Sequence, residues 1–433
     1  MRANLPRMIP PKPTTKSHSG EPKRHVFSLA EYTTFARQHL RFLAFGFFLC
    51  FTSSAGQTYF IGVFGPGIRE SFGLDHTQWG GLYMLGTLGS ALLLPWTGQL
   101  IDRFDLRVYV ACVVFGLAVA ALSISSSQSL AWLVFSIFLL RQFGQGLTSH
   151  ASITSMARYM GADRGKGIAI ASMGYSVGEA ILPVAAVVAI ATLGWRGAYS
   201  SAAVGVILML AFCLWLLKGH GLRHRVYEKA QAKSTDGAFG PGMSRSELLR
   251  DRRFYLLLPA VLAPSFISTA LFFHHLTLAE SKAWSGLWVT GNYWVYASLS
   301  ICTALVAGPF IDRYSAARII PYYLTPMIFA LLLLIPAQNP LWVLAYMVLL
   351  GMNTGVYFTA VNALWAELYG SRHLGAIKSL AGSFGVFASA LGPVSIGILL
   401  DAGYSFEFVC GLFALFCLGA TVLLVVGLRQ YGR

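Results

Sequence analysis

The chain has 433 residues, 56% of them hydrophobic and only 11% charged, whereas a soluble domain carries about 25% charged residues; a soluble globular fold is excluded. The net charge of +15 would point to nucleic acid on a soluble protein, but here Lys and Arg lie between apolar runs, so the expected counterpart is membrane lipid and no nucleic acid. The six cysteines (50, 112, 213, 302, 410 and 417) fall inside apolar runs without C-x-x-C spacing, which argues against a metal centre or a disulfide framework, and no cofactor is expected.

Residues 1–40 hold Pro6, Pro10, Pro11, Pro13 and Pro22 among Lys, Arg and Ser, with no apolar run after the early charges. They read as a basic disordered tail and not a signal peptide, with a short interfacial helix over about 28–40. A membrane span needs about 20 apolar residues to cross ~30 Å of hydrocarbon. Such runs lie at 41–64, 80–101, 108–126, 130–152, 167–191 and 196–217, and again at 254–277, 287–310, 318–337, 341–363, 376–399 and 406–428. The expected fold is an all-α polytopic membrane protein: twelve transmembrane helices in two six-helix pseudo-symmetric bundles. The first bundle covers 41–217 and the second 253–428, with a polar central loop at 218–252 and a short tail at 429–433.

Of the 32 Lys and Arg, 28 fall in the N-terminal tail, the central loop, the C-terminus and alternate short loops; only Arg69, Arg196 and Lys282 fall in the others, and Arg141 lies inside a span. The positive-inside rule then puts both termini and the central loop in the cytoplasm of a plasma (bacterial inner) membrane.

A polar island, Gly98-Gln-Leu-Ile-Asp102-Arg103-Phe-Asp-Leu-Arg107, recurs altered as Gly308-Pro-Phe-Ile-Asp312-Arg313-Tyr-Ser-Ala-Ala-Arg318, 210 residues later. One motif at the same place in each half marks an internal duplication. Span 5 has a small-residue face, Gly167, Ala171, Gly174 and Gly178, matched in span 11 by Gly375, Ser379 and Gly382. Such faces let helices approach closely in lipid.

Twelve spans, a basic central loop and G-x-x-x-D-R turns after spans 2 and 8 resemble the major facilitator superfamily. Gly98, Asp102, Arg103 and Arg107 match its loop motif, with Asp105 where the family has Gly. Gly308, Asp312 and Arg313 repeat it, and Arg141-Gln-Phe-Gly-Gln145-Gly146 matches its span-4 motif R-x-x-x-Q-G. The stretches from Tyr59 to Gly67 and from Phe272 to Leu276 look like the monocarboxylate-porter and oxalate/formate branch. The resemblance implies a secondary transporter that moves a small-molecule substrate by alternating access, not an enzyme, and a monomer suffices for the cycle.

Arg141 is the sharpest single residue. A charge near mid-membrane costs about 2.5–3.5 kcal/mol on insertion scales, so it must face a water-filled cavity or a partner, and its guanidinium fork suits a carboxylate. The competing reading is a structural Arg held by backbone carbonyls and Gln145. Glu179 is the only acid deep in a span; it either neutralises Arg141 or carries a coupling proton. Gln57, Tyr59, Asn353 and Tyr357 are candidate neutral ligands, since the superfamily lines its cavity with spans 1, 4, 7 and 10. His274, beside His275 near the outer end of span 7, is a candidate for the substrate path, against an interfacial polar residue. Gly98, Asp102, Arg103, Arg107, Asp312 and Arg313 are expected to form a gate and latch on the cytoplasmic rim, pairing with facing helix ends. The leading substrate is a small organic anion. Efflux of hydrophobic compounds and a transporter-like membrane receptor or sensor are the alternatives. No G-x-x-x-x-G-K-[ST] run is present, which argues against ATP-driven pumping by this chain.

Overall fold

The computed structural model describes residues 29–221, 223–224, 245–370 and 374–429; residues 1–28 of the expected 1–40 tail, most of the central loop and 430–433 lie outside them. Ten helices are long and apolar enough to cross a membrane, and a bent pair, Thr34–Gly56 with Thr58–Phe72 at 46°, makes an eleventh. One of the ten, Arg164–Leu216, has 53 residues, about 80 Å as a single rod. Gly194 (φ 68°, ψ 168°) breaks it, and its two arms bring the total to twelve among the described residues.

In chain order, α1 is the bent pair, whose first helix runs unbroken over Leu29–Thr52, so the expected separate helix over 28–40 is the start of this one. Then come α2 (His76–Gly98), α3 (Leu106–Ser125), α4 (Leu130–Tyr159), and α5 and α6, the arms 164–193 and 195–216. The second set is α7 (Arg252–Phe273), α8 (Gly286–Ile311), α9 (Ala316–Leu334), α10 (Trp342–Tyr369), α11 (Leu374–Asp401) and α12 (Phe406–Arg429). Several starts carry the expected caps. The Asp75 carboxylate accepts the Gln78 N–H in a capping box, Asp105 accepts from Arg107, Ser129 from Trp132 and Asp251 from Arg253. Each satisfies a donor that has no partner within its own helix.

The duplication is visible in the packing. α2 lies on α4, α3 on α4 and on the α5–α6 rod, and α1 on α5 and α6; α8 lies on α10, α9 on α10 and α12, and α7 on α11 and α12. Each pairing reappears six helices later. The two halves meet chiefly where α2 packs on α11 and α8 on the α5–α6 rod.

The small face of α5 docks on α1. A Cβ at Gly174 would stand 1.9 Å from the Phe47 carbonyl oxygen, and one at Gly178 2.1 Å from Ser54 Oγ. The second copy differs: nothing lies within 4 Å of the position a Gly382 Cβ would take, and α11 approaches α7 instead at Gly392, where a Cβ would stand 2.3 Å from the Phe266 carbonyl oxygen. Backbone cannot yield as a side chain can, so Gly174→Ala is expected to cost about 1–3 kcal/mol through overpacking. Gly205→Ala, where a Cβ meets nothing within 4 Å, is not. Melting temperatures of the two variants in detergent check this.

Candidate functional site

The polar centre of the first half is built from two irregular helices. α1 leaves helical geometry at Ser53–Gly56, a 3-10 turn, and Gln57 is extended (φ −87°, ψ 154°). α4 passes into a π-helix over Arg141–Thr148, a form frequent at functional sites. The irregular stretches cross in backbone contact, since a Cβ on Gly56 would stand 2.1 Å from the Leu140 carbonyl oxygen and 2.7 Å from Gly144 Cα. At that crossing the Gly56 carbonyl takes a hydrogen bond from Arg141 Nη1 at 3.1 Å, and Thr58 Oγ1 takes a longer one at 3.4 Å.

Arg141 is 1% exposed. Its guanidinium carbon lies 5.1 Å from the ring centre of Tyr83 on α2, whose hydroxyl is 2.5 Å from Thr58 Oγ1. One edge of the guanidinium, Nε and Nη2, has no hydrogen-bond partner among the described residues. That edge carries two parallel N–H groups, the geometry that takes both oxygens of a carboxylate. Buried donors are nearly always satisfied, so this edge is the feature of the site that calls for a ligand.

Glu179 on α5 is also buried, at 5% exposure, but it forms no ion pair with Arg141 among the described residues; the expected neutralising pair is absent. It sits instead among tyrosines. Tyr59 and Tyr175 meet edge to face at 5.5 Å, and Tyr293 and Tyr296, from the opposite half, are within electrostatic reach of the Glu179 carboxyl. Tyr175 is within electrostatic range of both Glu179 and Arg141. The Tyr59 hydroxyl donates to Ser54 Oγ at 2.8 Å and that of Tyr296 to Thr354 Oγ1 at 3.1 Å.

The remaining candidates divide. Gln57 is buried at the break in α1, while Gln145 is half-buried on the π-helix and its carbonyl receives the Ser149 hydroxyl. The neighbouring Gln142 does the bridging: its Nε2 donates to Thr97 Oγ1 at 2.7 Å and its Oε1 accepts from Ser90 Oγ at 3.0 Å, tying α4 to α2. Asn353 is buried and donates to the Tyr323 carbonyl at 2.7 Å, a structural bond within the second half. Tyr357 is half-buried with its hydroxyl 3.4 Å from Ser265 Oγ. His274 is buried just past the end of α7, with Nε2 2.9 Å from the Pro393 carbonyl oxygen and its ring 5.8 Å from that of His76. His275 is buried between the hydroxyls of Tyr293 and Tyr346, both at 2.7 Å. The tyrosine partners, on α8 and α10, left no periodic signal in the sequence.

The repeated turns lie at one end of the bundle. Gly98 is buried, and Asp102 is ion-paired to Arg158 at the end of α4, whose Nη1 also donates to the Ile101 carbonyl at 3.3 Å. Arg103 and Arg107 are exposed. In the second copy the residue 209 positions after Arg158 is Glu367. Its carboxylate accepts the N–H groups of Ala316 (2.7 Å) and Ala317 (3.1 Å) and the Ser315 hydroxyl (3.0 Å). Arg313 is exposed over the Tyr314 ring, and the Asp312 side chain lies outside the described residues. Both sets of partners sit within their own half, and the Arg158 that pairs with Asp102 stands at a helix end.

The sequence matches the family described as Major Facilitator Superfamily in two overlapping stretches, residues 43–393 and 285–431. No curated protein matches it. One departure from the loop motif has a local cause: Asp105, in place of Gly, caps α3 through the Arg107 N–H at 2.8 Å. Asp105→Ala is expected to cost about 0.5–2 kcal/mol and Asp105→Gly only a few tenths, a ranking that thermal melts of the two variants check.

Proposed function

The chain belongs to the Major Facilitator Superfamily, a family of membrane transporters, and on that footing we propose that it moves a small organic anion by alternating access, with Arg141 as the carboxylate anchor. The observation that carries this reading is the buried Nε/Nη2 edge of Arg141, which has no partner among the described residues. A carboxylate there would gain two charge-assisted hydrogen bonds next to the Tyr83 ring. Nη1, held by the Gly56 carbonyl, keeps the fork oriented before the anion arrives, which reduces the ordering cost of binding.

In this reading Glu179 carries a coupling proton. It is a buried acid with no cation in salt-bridge range among the described residues, set in a wall of tyrosines contributed by both halves, so its charge would be sensed as the halves move. The motif end of the bundle faces the cytoplasm, as the Lys and Arg distribution indicates, and the membrane is the plasma membrane. The tyrosine-rich wall also favours a second reading, export of hydrophobic compounds, in which Arg141 is purely structural.

The test is uptake of a panel of small mono- and dicarboxylates into proteoliposomes. Saturable uptake of at least one is expected. Arg141→Gln and Arg141→Lys should each weaken its apparent affinity by roughly 100-fold, the equivalent of about 3 kcal/mol for two charge-assisted hydrogen bonds. The lysine variant keeps the charge and a donor for Gly56 but lacks the fork. Wild-type uptake of none of the panel, or unchanged affinity in both variants, sinks the anion reading; extrusion of a lipophilic dye instead supports the second.

Proton coupling has its own check. Glu179→Gln should abolish accumulation driven by a pH gradient while leaving exchange of labelled for unlabelled substrate intact. Gradient-driven accumulation by the glutamine variant at the wild-type level would remove Glu179 from the coupling role.

A further inference from the structure

We propose that Asp401 is a latch that holds the two halves together at the end of the bundle remote from the G-x-x-x-D-R turns. Asp401 is the last residue of α11, in the second half. Its Oδ1 accepts the His76 N–H at 3.2 Å, and its Oδ2 accepts the Thr77 N–H at 2.6 Å and the Thr77 hydroxyl at 2.5 Å. His76 and Thr77 are the first two residues of α2, in the first half. The third N–H of that turn, from Gln78, goes to Asp75 at 2.6 Å. The start of α2 is therefore capped twice: once by its own chain and once by a carboxylate that leaves whenever α11 leaves. A negative charge is favoured at this position by the dipole of α2.

The surfaces under the latch are made for contact at close range. A Cβ on Gly397 would stand 2.5 Å from the His76 carbonyl oxygen, and one on Gly80 2.7 Å from Val394 Cα. α1 and α7 meet the same way, a Gly62 Cβ falling 2.7 Å from the Phe272 carbonyl oxygen. Backbone against backbone leaves little room for partial sliding, so the joint is either docked or apart. One turn deeper along α2, Trp79 stacks on Phe273 of α7 at 5.2 Å, and Tyr83 meets the same ring at 4.7 Å. Tyr83 is also the ring under the Arg141 guanidinium. A single rigid helix thus carries the latch at its first turn and one wall of the central site two turns on.

The latch rests on the assignment to the family and on these contacts, not on the anion reading. Losing Asp401 removes one charge–dipole contact at an exposed helix end, so the ratio of undocked to docked molecules should rise about two- to fivefold. The change is read without substrate, so that its failure and a failure of the anion reading are distinguishable. Glu70→Cys and Tyr404→Cys, in a Cys112→Ser, Cys302→Ser background, carry spin labels on the full-length chain in nanodiscs, and pulsed electron resonance gives the distance distribution. Asp401→Ala should enlarge the long-distance population. Glu407→Gln should not: Glu407 is paired with Lys282 at 2.5 Å inside the second half. Gly397→Val, which wedges the joint itself, should enlarge the same population further and serves as the positive control. A distribution for Asp401→Ala that superimposes on the wild type overturns the latch, whatever Gly397→Val does.

Discussion

The bond from Arg141 to the Gly56 carbonyl is the constraint around which the first half is arranged. A guanidinium in hydrocarbon must be partnered or reach water, and an intact α1 would offer it only carbonyls that already accept the N–H four residues on. The break at Ser53–Gln57 frees one, and the π-helix in α4 brings Arg141 to it. Neither distortion is useful alone. Gly56 and Gly144 follow from the same requirement, since the two backbones must touch at the crossing. Irregular backbone at membrane depth is tolerated where it is buried in protein, and here each irregular stretch is packed against the other.

The second half keeps the scaffold of this arrangement without its charge. At the offset of 209 that relates Arg158 to Glu367, Arg141 corresponds to Leu350, which is fully buried, and Gln145 to Thr354, which accepts the Tyr296 hydroxyl. Gly351 and Gly355 let α10 press onto the backbone of α8: a Cβ on each would stand 2.5 and 2.4 Å from the Tyr296 and Ser300 carbonyl oxygens. The duplication therefore reproduces helix pairing and small-residue contacts, while the ionisable groups have diverged. At the motif turns the divergence reaches the sign of the charge: a cation holds the side chain of Asp102 in one copy, and an anion holds backbone N–H groups in the other.

What could be read in the sequence follows the range of the forces involved. Span number, the repeat and the isolation of Arg141 are written in hydropathy and spacing, which are local, and the α5–α6 boundary follows from one glycine with a positive φ. Partnership is not local. Arg141 and Glu179 are on neighbouring helices, yet the faces they occupy do not bring them together, and no periodicity could have said so. Gln142, not Gln145, meets α2 because a π-helix turns its residues by a smaller angle than an α-helix, which moves the face that meets α2. The sequence puts His274 and His275 near a span end, and packing against α11, α8 and α10 buries both. Asp401 carries no signal, as its partners, two backbone N–H groups and the Thr77 hydroxyl, are 324 and 325 residues away.

The crossing of Gly56 and Gly144 has a consequence for how the protein could change over time. Its anchor is set by backbone, so substitution near it disturbs α1 and α4 together, and few replacements would be accepted. The opposing wall is held more lightly: Thr354, Tyr296 and Tyr357 are side chains with one or two hydroxyl contacts each. New solute preferences would therefore arise by drift in the second half, with the first half inherited almost unaltered.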